Sequence, residues 1–359
     1  MEALRYCLGH HRANPDDHLS LVLNAAAPTE LAELCPFVDE VYPVEFSEPS
    51  DSDARGALRR VPRRWEHVLD NPRRSVQAHL RAVPGFARYF EVSDLHFQAS
   101  LARVPVGGDP PGYVPHQRLI LDLPEEHRRR ARDLIRDSKP RIAVLPAGSS
   151  ERSLYPSTLS WEIVLGAMSG RFPEATFCLV GNLGTDERTR TNMSSAEVER
   201  LREACPRTVD RFDAGLLDQL AAVEACDVFL SPHSGFGMAA LAVGTPWLTV
   251  SGGRWSEFFF NGVPFYSMLP DPQRFPIYSR FGTLPVLDDE DGEGPRTPAM
   301  SRERILADLD ELVQVTESLV EGSLGYREAL ADHFERLLRF HGGDRSGIFS
   351  VDDVHSEFV

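Results

Sequence analysis

Residues 228–253, VFLSPHSGFGMAALAVGTPWLTVSGG, form the stretch that decides the fold. The apolar run Val228–Ser231 predicts a strand, and a turn with two glycines follows it. The small residues of Gly235–Val243 predict a helix, and Trp247–Val250 predicts the next strand. A helix that begins this close to a strand end directs its first backbone N–H groups toward the turn, where they can hold a diphosphate. The sequence therefore predicts a diphosphate-binding turn at Ser231–Gly237.

Strand and helix patterns alternate over the whole region from Arg141 to Met268. The strands are continuous apolar runs without polar alternation, which predicts a parallel sheet covered by helices on both faces. The expected strands are Arg141–Pro146, Thr176–Val180, Thr208–Phe212, Val228–Ser231 and Trp247–Val250. The expected helices are Thr158–Phe172, Ser195–Cys205 with Ser195 as its N-cap, Leu216–Ala225 and Gly235–Val243.

Two further turns follow strands of the same predicted sheet. Residues 146–152, PAGSSER, offer a glycine, the hydroxyl groups of Ser149 and Ser150, and the guanidinium of Arg152, which can pair with phosphate. Gly181-Asn182 follows the next strand, where it could face a ribose or a base. Because the carboxyl ends of parallel strands meet at one edge of a sheet, the three turns can line one crevice. Taken singly, each turn is equally typical of ordinary tight-turn chemistry.

The first 138 residues are less regular. The strands expected there are Leu19–Asn24, Val38–Val44 and Trp65–Leu69, and the helices are Pro28–Cys35, Arg73–Val83 and Glu125–Arg136. Residues 2–13 have the pattern of the first helix of a Rossmann-type domain, but the strand and glycine turn that usually precede such a helix are absent. Either the domain lacks its first strand or the true start lies upstream of Met1.

A turn-forming Ser138-Lys139-Pro140 marks the expected domain boundary. The segments that we expect are an N-terminal Rossmann-like domain over 1–138, a C-terminal Rossmann-like domain over 139–300, helices over 301–340 and a tail over 341–359. The helices of the third segment are predicted at Ser301–Val320 and Gly325–Arg339.

Composition limits the classes of function. A chain of 359 residues is long enough for two domains, and its net charge of −16 disfavours nucleic acid as a partner. No apolar run is long enough for an integral membrane segment, and the N-terminus lacks the features of a secretory signal. The five cysteines are scattered and form no Cys-x-x-Cys pair, which fits a reducing cytoplasm and gives no support to a zinc site.

His233-Ser234-Gly235 and Gly244-Thr245-Pro246 resemble the donor-binding motif of bacterial ADP-heptose-dependent heptosyltransferases, glycosyltransferase family 9. The turn at 146–152, with Tyr155-Pro156 after it, is similar to a loosened form of the Pro-Gly-Ala-Ser turn, lysine and Trp-Pro of that family. Weaker resemblance covers residues 29–44, a first-domain helix and strand, and residues 121–135, the linker segment. The resemblance thus touches both halves of the chain, and its specific part is the donor turn.

This resemblance implies an α/β fold of the GT-B type, with two Rossmann-like domains that face a cleft. The C-terminal domain would bind a nucleotide-sugar donor, and the N-terminal domain would bind an acceptor such as a glycan, a lipid-linked sugar or a small natural product. No cofactor and no metal are implied, since the helix dipole and basic groups would carry the charge of the leaving diphosphate. Asp288-Asp289 lies in an acidic loop and does not form an Asp-x-Asp metal motif.

The sequence departs from the family at three positions. The glycine turn that would carry the catalytic aspartate is missing, the lysine that meets the diphosphate is at best Arg152, and Pro232-His233 stands where Asn-Asp is usual. The expected donor-binding residues are Ser149, Ser150, Arg152, Gly181, Asn182, Ser231, His233, Ser234, Gly235, Phe236, Gly237 and Glu257.

Inverting transfer also needs a base that takes the proton of the acceptor hydroxyl. Asp94 and His96 are the foremost candidates, because they lie among aromatic residues at 89–97; Asp70 and His79 are others. A loop carboxylate and a histidine at the edge of a core would look the same. The sequence thus indicates a cytoplasmic bacterial glycosyltransferase, with a nucleotide-sugar 2-epimerase or a non-catalytic GT-B partner protein as the alternatives.

Overall fold

The computed structural model describes residues 1–45, 56–69, 91–103, 116–136, 139–184, 190–251, 262–269, 284–348 and 357. Contacts divide the chain into two compact units, Met1–Leu121 and Asp122–Val359. Within the described residues, no helix has both the length and the apolar content that crossing a bilayer requires.

The first unit begins with a helix and a pair of parallel strands. Its first elements are α1 (Glu2–Ala13), β1 (Ser20–Asn24), α2 (Glu30–Glu33) and β2 (Glu40–Val44). Both strands were predicted, and they pair in parallel from Ser20 with Glu40 to Asn24 with Val44. The helix expected over Pro28–Cys35 is shorter, a single turn over Glu30–Glu33.

A second, smaller sheet in this unit joins β3 (His67–Val68) to β4 (Ala102–Arg103) in parallel. The strand predicted over Trp65–Leu69 is therefore only two residues long, and its partner was not predicted. A core of buried apolar side chains underlies this region; its members are Val44, Leu58, Val61, Val92 and Phe97.

The second unit is built on a six-stranded sheet in the order β10-β9-β8-β5-β6-β7, with every neighbouring pair parallel. The strands are β5 (Arg141–Val144), β6 (Thr176–Gly181), β7 (Thr208–Phe212), β8 (Val228–Pro232), β9 (Trp247–Val250) and β10 (Phe265–Met268). All residues of β6 and β8 are buried, which confirms the prediction of a sheet covered on both faces. The edge strand β10 was not predicted.

The helices of this unit agree with the predicted pattern apart from two details. They are α3 (Glu125–Leu134), α4 (Thr158–Arg171), α5 (Ser195–Ala204), α6 (Leu216–Glu224), α7 (Gly235–Val243), α8 (Arg302–Ala307), α9 (Leu309–Glu321) and α10 (Tyr326–Phe340). The N-cap of α5 is Ser194 and not Ser195, because Ser194 forms a capping box with Glu197. The single helix expected over Ser301–Val320 is two helices, α8 and α9, which meet at Asp308.

The helix α3 packs within the second unit. Arg128 donates to the carboxylate of Glu224 at 2.8 Å, and the ring of His127 lies 2.7 Å from a carboxylate oxygen of Asp218. Both carboxylates belong to α6. The helix α3 thus belongs to the unit Asp122–Val359, and the expected domain boundary at Ser138-Lys139-Pro140 stays a prediction.

Trp247 of β9 lies fully buried against the beginning of α7. A Cβ atom added to Gly237 would lie 2.1 Å from the indole ring, so only glycine fits at this point of the helix. The indole Nε1 donates to the hydroxyl of Ser231 at 2.9 Å. The packing of one ring thus sets how close α7 comes to β8 and β9.

We predict that Gly237→Ala destabilises the protein, because its methyl group must displace the Trp247 ring. Overpacking of this kind typically costs about 1–3 kcal/mol. Gly235→Ala is the matched control, since nothing lies within 4 Å of a Cβ at that position, and it should change the free energy of unfolding by less than roughly 1 kcal/mol. Denaturant unfolding of both variants measures the difference; equal stabilities would contradict the role given to Trp247.

Candidate functional site

The turn between β8 and α7 exposes the beginning of a nine-residue helix. Ser234 is its N-cap and accepts the N–H of Gly237 at 3.2 Å. The N–H groups of Gly235 and Phe236 have no acceptor inside the helix, and the helix dipole gives them a positive potential. Gly235 is exposed, with nothing within 4 Å of a Cβ at that position. The open point of the turn is therefore Gly235.

Two predicted donor residues hold the turn in place. The hydroxyl of Ser231 is fully buried; it donates to the carbonyl of Pro232 at 2.8 Å and accepts from Trp247. Gly237 is buried and is required by the Trp247 ring. Since both are committed to packing, we leave Ser231 and Gly237 out of the groups that would contact a ligand directly.

His233 brings no positive charge to the turn. Its ring centroid lies 5.4 Å from that of Trp247, and burial lowers the pKa of His233 to about 4. The imidazole is therefore neutral near pH 7. Phe236 packs on Phe229, with ring centroids 5.7 Å apart. The turn consequently offers backbone and hydroxyl dipoles to an anion.

The turn after β5 lies beside the turn after β8. A Cβ atom on Gly148 would be 3.7 Å from the Cβ of Ser234 and 2.9 Å from the hydroxyl of Tyr155. The Tyr155 oxygen accepts the N–H of Ser150 at 2.8 Å, which fixes the path of the chain. Ser149 and Ser150 are exposed next to this point. The two serines thus directly follow a residue that approaches the N-cap of α7.

Asn192 ties the loop after β6 to the turn after β5. Its backbone N–H donates to the carbonyl of Gly148 at 2.9 Å, and its side-chain amide donates to the carbonyl of Ser150 at 3.0 Å. Neighbouring Thr191 donates its N–H to the carbonyl of Asn182 and accepts the N–H of Asn182 on its hydroxyl. Because β8, β5 and β6 are neighbours in the sheet, the three predicted turns lie side by side.

Gly181 and Asn182 are held by groups that the sequence did not single out. The amide of Gln219 accepts the N–H of Gly181 at 2.9 Å and donates to its carbonyl at 3.1 Å. The carboxylate of Asp213 accepts the N–H groups of Leu183 at 2.6 Å and Gly184 at 3.1 Å. Asp213 has a φ of 57°, a left-handed conformation that Asp tolerates better than most residues.

Arg152 is engaged by carboxylates. It lies in the 3-10 helix Arg152–Leu154 and pairs with Glu197, while Glu293 is 4.0 Å away. Burial opposes ionisation of Glu197, but hydrogen bonds from Ser194 and Arg152 lower the pKa of this carboxyl. A phosphate group would have to compete with an ionised carboxylate for the Arg152 guanidinium.

The candidate bases of the first unit make structural contacts. The ring of His96 donates from Nε2 to the carbonyl of Val61 at 2.9 Å, and Asp94 pairs with Arg103 at 3.1 Å. Glu257, Asp70 and His79 lie outside the described residues. A catalytic role for Asp94 or His96 stays a prediction.

The sequence missed Asn192, Asp213 and Gln219, which position the predicted turns. No motif marks them, because each acts on a backbone group of another loop. Tyr155 had a signal, since it follows the PAGSSER turn and stands in the Tyr155-Pro156 pair. Its specific contact with Ser150 was not predictable from that pattern.

We predict that His233 makes stability fall in mild acid. Its folded pKa of about 4 lies below the ordinary value of 6.5, so the unfolded chain binds a proton first and stability is lost as pH falls from 6.5 toward 4. The contribution is on the order of 3 kcal/mol at most. His233→Gln should flatten this part of the pH dependence of unfolding, and an NMR titration should show a neutral ring at pH 6. Parallel curves for variant and parent would refute the assignment.

Comparison with known proteins supports the fold. No protein-family model and no curated protein matches the chain. Among solved structures, a glycosyltransferase family 9 protein from Veillonella parvula DSM 2008 superposes with a TM-score of 0.54 and 14% identity, over 87% of this chain and 92% of that one. For the E. coli ADP-heptose LPS heptosyltransferase II the TM-score is 0.49 and the identity 14%, over 88% of this chain and 95% of that one. For the UDP-GlcNAc 2-epimerase of Neisseria meningitidis, bound to UDP-GlcNAc, the TM-score is 0.42 and the identity 10%, over 95% of this chain and 96% of that one.

The resemblance carried by His233-Ser234-Gly235 agrees with the helix-covered parallel sheet of the second unit and with the superposition on the Veillonella parvula protein. The chain has an α/β fold of the GT-B type.

Proposed function

We propose that this protein transfers a sugar from a nucleotide-activated donor to an acceptor hydroxyl, with inversion and without a metal ion. The proposal rests on one arrangement: the turns after β6, β5 and β8 lie side by side next to the exposed helix beginning at Gly235. Asn192 joins the loop after β6 to the turn after β5, and Gly148 of that turn approaches Ser234. Ligands of open parallel sheets bind at this edge, beyond the carboxyl ends of the strands.

The donor diphosphate would lie at the beginning of α7. The N–H groups of Gly235 and Phe236 and the hydroxyl groups of Ser149, Ser150 and Ser234 supply donors there. Fixed dipoles that point at developing negative charge stabilise a leaving diphosphate without reorganisation. Since His233 is neutral and Arg152 is paired with Glu197, these dipoles would supply most of the stabilisation of the diphosphate charge. The proposed reaction uses no cofactor.

In the reaction, the acceptor oxygen forms a bond to the anomeric carbon as the bond to the nucleoside diphosphate breaks on the opposite face. A base takes the hydroxyl proton. We assign donor binding to the unit Asp122–Val359 and acceptor binding to the unit Met1–Leu121, as the family resemblance implies. The five cysteines are free thiols, which supports a cytoplasmic site of action.

The binding step is tested by thermal shift with a panel of nucleoside diphosphates and nucleotide sugars. A ligand that binds only the native state raises the melting temperature, so we expect a shift with at least one of them. Gly235→Asp should abolish the shift, because its carboxylate would occupy the phosphate position. Gly166→Asp is the matched control, since Gly166 is an exposed glycine in the middle of α4 with open space around it.

If Gly235→Asp and Gly166→Asp both lose the nucleotide-induced shift, the loss reflects the added negative charge and not its position. The absence of a shift with every nucleotide tested would contradict the proposal. A shift without sugar transfer to any acceptor would favour the non-catalytic partner protein. Release of free epimerised sugar or its nucleotide would favour the 2-epimerase.

Metal independence gives a separate prediction. Sugar transfer and the nucleotide-induced shift should be unchanged by EDTA, because helix dipoles and hydroxyl groups neutralise the diphosphate. Transfer rates with EDTA, and after addition of Mg²⁺ or Mn²⁺, provide the measurement. Activity that disappears with EDTA and returns with Mn²⁺ would show that a metal ion carries the leaving-group charge.

A further inference from the structure

Four arginines stand together on the surface of the first unit. Residues 59–64 are RRVPRR, and Arg59, Arg60, Arg63 and Arg64 are all exposed. Within the described part of the chain, none of their guanidinium groups forms an ion pair or a hydrogen bond. We call Arg59–Arg64 the arginine segment.

This segment is unusual in its own protein. The net charge of the chain is −16, yet residues 58–66 hold four arginines and a single carboxylate, that of Glu66. Elsewhere arginines typically face acids, as Arg141 does with Asp227 at 2.7 Å and Arg200 with Glu162 at 2.8 Å. Neighbouring cations repel one another, and no carboxylate among the described residues pairs with these four to offset that repulsion.

The backbone of the arginine segment is held rigidly. Leu58 and Val61 are buried in the core of the first unit, with exposures of 1% and 3%. Three side chains donate to consecutive backbone carbonyl groups of the segment. His96 donates to the carbonyl of Val61, Trp65 to that of Pro62 at 2.8 Å, and Ser100 to that of Arg63 at 3.4 Å. The fold thus fixes the segment and leaves its cationic side chains in solvent.

An exposed leucine accompanies the cations. Leu101 is 70% exposed, and its N–H donates at 2.9 Å to the carbonyl of Trp65, the residue that follows Arg64. Exposed cations beside an exposed apolar side chain are the composition of surfaces that lie on anionic lipid. A site for a small anion would instead bury part of its cationic groups, and none of these four is buried.

We propose that the arginine segment and Leu101 dock the protein on an anionic lipid surface. Because the rest of the chain is strongly acidic, the anionic lipid would repel the other faces of the protein. Docking would therefore also fix the orientation of the first unit on the lipid. This docking does not depend on the proposed sugar transfer.

The test is co-sedimentation of the full chain with vesicles of phosphatidylcholine alone or mixed with phosphatidylglycerol. We expect binding only to the mixed vesicles, weakening as salt screens the attraction. Each arginine near such a surface strengthens binding roughly fivefold, so Arg59, Arg60, Arg63 and Arg64 changed together to Ala should weaken it at least about a hundredfold. Leu101→Ser should weaken it about tenfold.

The matched control removes four positive charges elsewhere. Arg118, Arg129, Arg190 and Arg345 are also exposed, and changing them together to Ala gives the same net charge. This control should keep vesicle binding. Equal loss in both quadruple variants would overturn the proposal, as would absence of binding by the parent protein. Unchanged melting temperatures establish that the variants fold.

A second pair of measurements separates a lipid surface from a soluble anion or an acidic partner. Lysine at all four positions of the segment should retain vesicle binding, because a lipid surface attracts charge without requiring the guanidinium fork. Loss of binding with lysine, or displacement from vesicles by inorganic phosphate at constant ionic strength, would identify a specific anion site and refute lipid docking.

Discussion

The packing of Trp247 against α7 is the contact on which the candidate site depends. Its ring occupies the space that any side chain at Gly237 would need, and its Nε1 is bonded to Ser231 at the end of β8. The first turn of the helix is therefore fixed relative to two strands of the sheet. A fixed helix beginning is what allows N–H groups to act as a preorganised anion site, since they need no rearrangement when a ligand arrives.

Among the described residues near this turn, side chains supply little positive charge that is not already paired. Burial keeps His233 neutral, and Arg152 is held by Glu197, whose pKa is lowered by hydrogen bonds from Ser194 and Arg152. Glu293 is held in turn by Arg200 at 3.1 Å and by the N–H of Thr158 at 2.8 Å. Among the described residues of these turns, dipoles rather than side-chain cations thus dominate. A ligand that recruits Arg152 must first separate it from a partner that is itself well supported.

Sequence patterns predicted the second unit well because its strands are short apolar runs bounded by turns, and because helix and strand periods differ. They missed β10, since Phe265–Met268 is four residues long with a serine inside. At the site, the turns were found from local chemistry, but the roles of Ser231 and Gly237 were not. Those roles depend on Trp247, and the partner of Arg152 lies 45 residues away. No local pattern contains such contacts.

His96 shows how a residue type alone leaves its role open. Its place among aromatic residues made it a candidate base, which stays a prediction; its Nε2 donates to the carbonyl of Val61, and its ring packs edge-on against Phe97 at 4.8 Å. A histidine bound in this way holds a backbone in place. The backbone that it holds carries Arg59, Arg60, Arg63 and Arg64, which pair with no carboxylate among the described residues and therefore repel one another. The contact of His96 therefore supports the surface of the first unit, whereas Trp247 supports the sheet edge at which we propose ligand binding in the second.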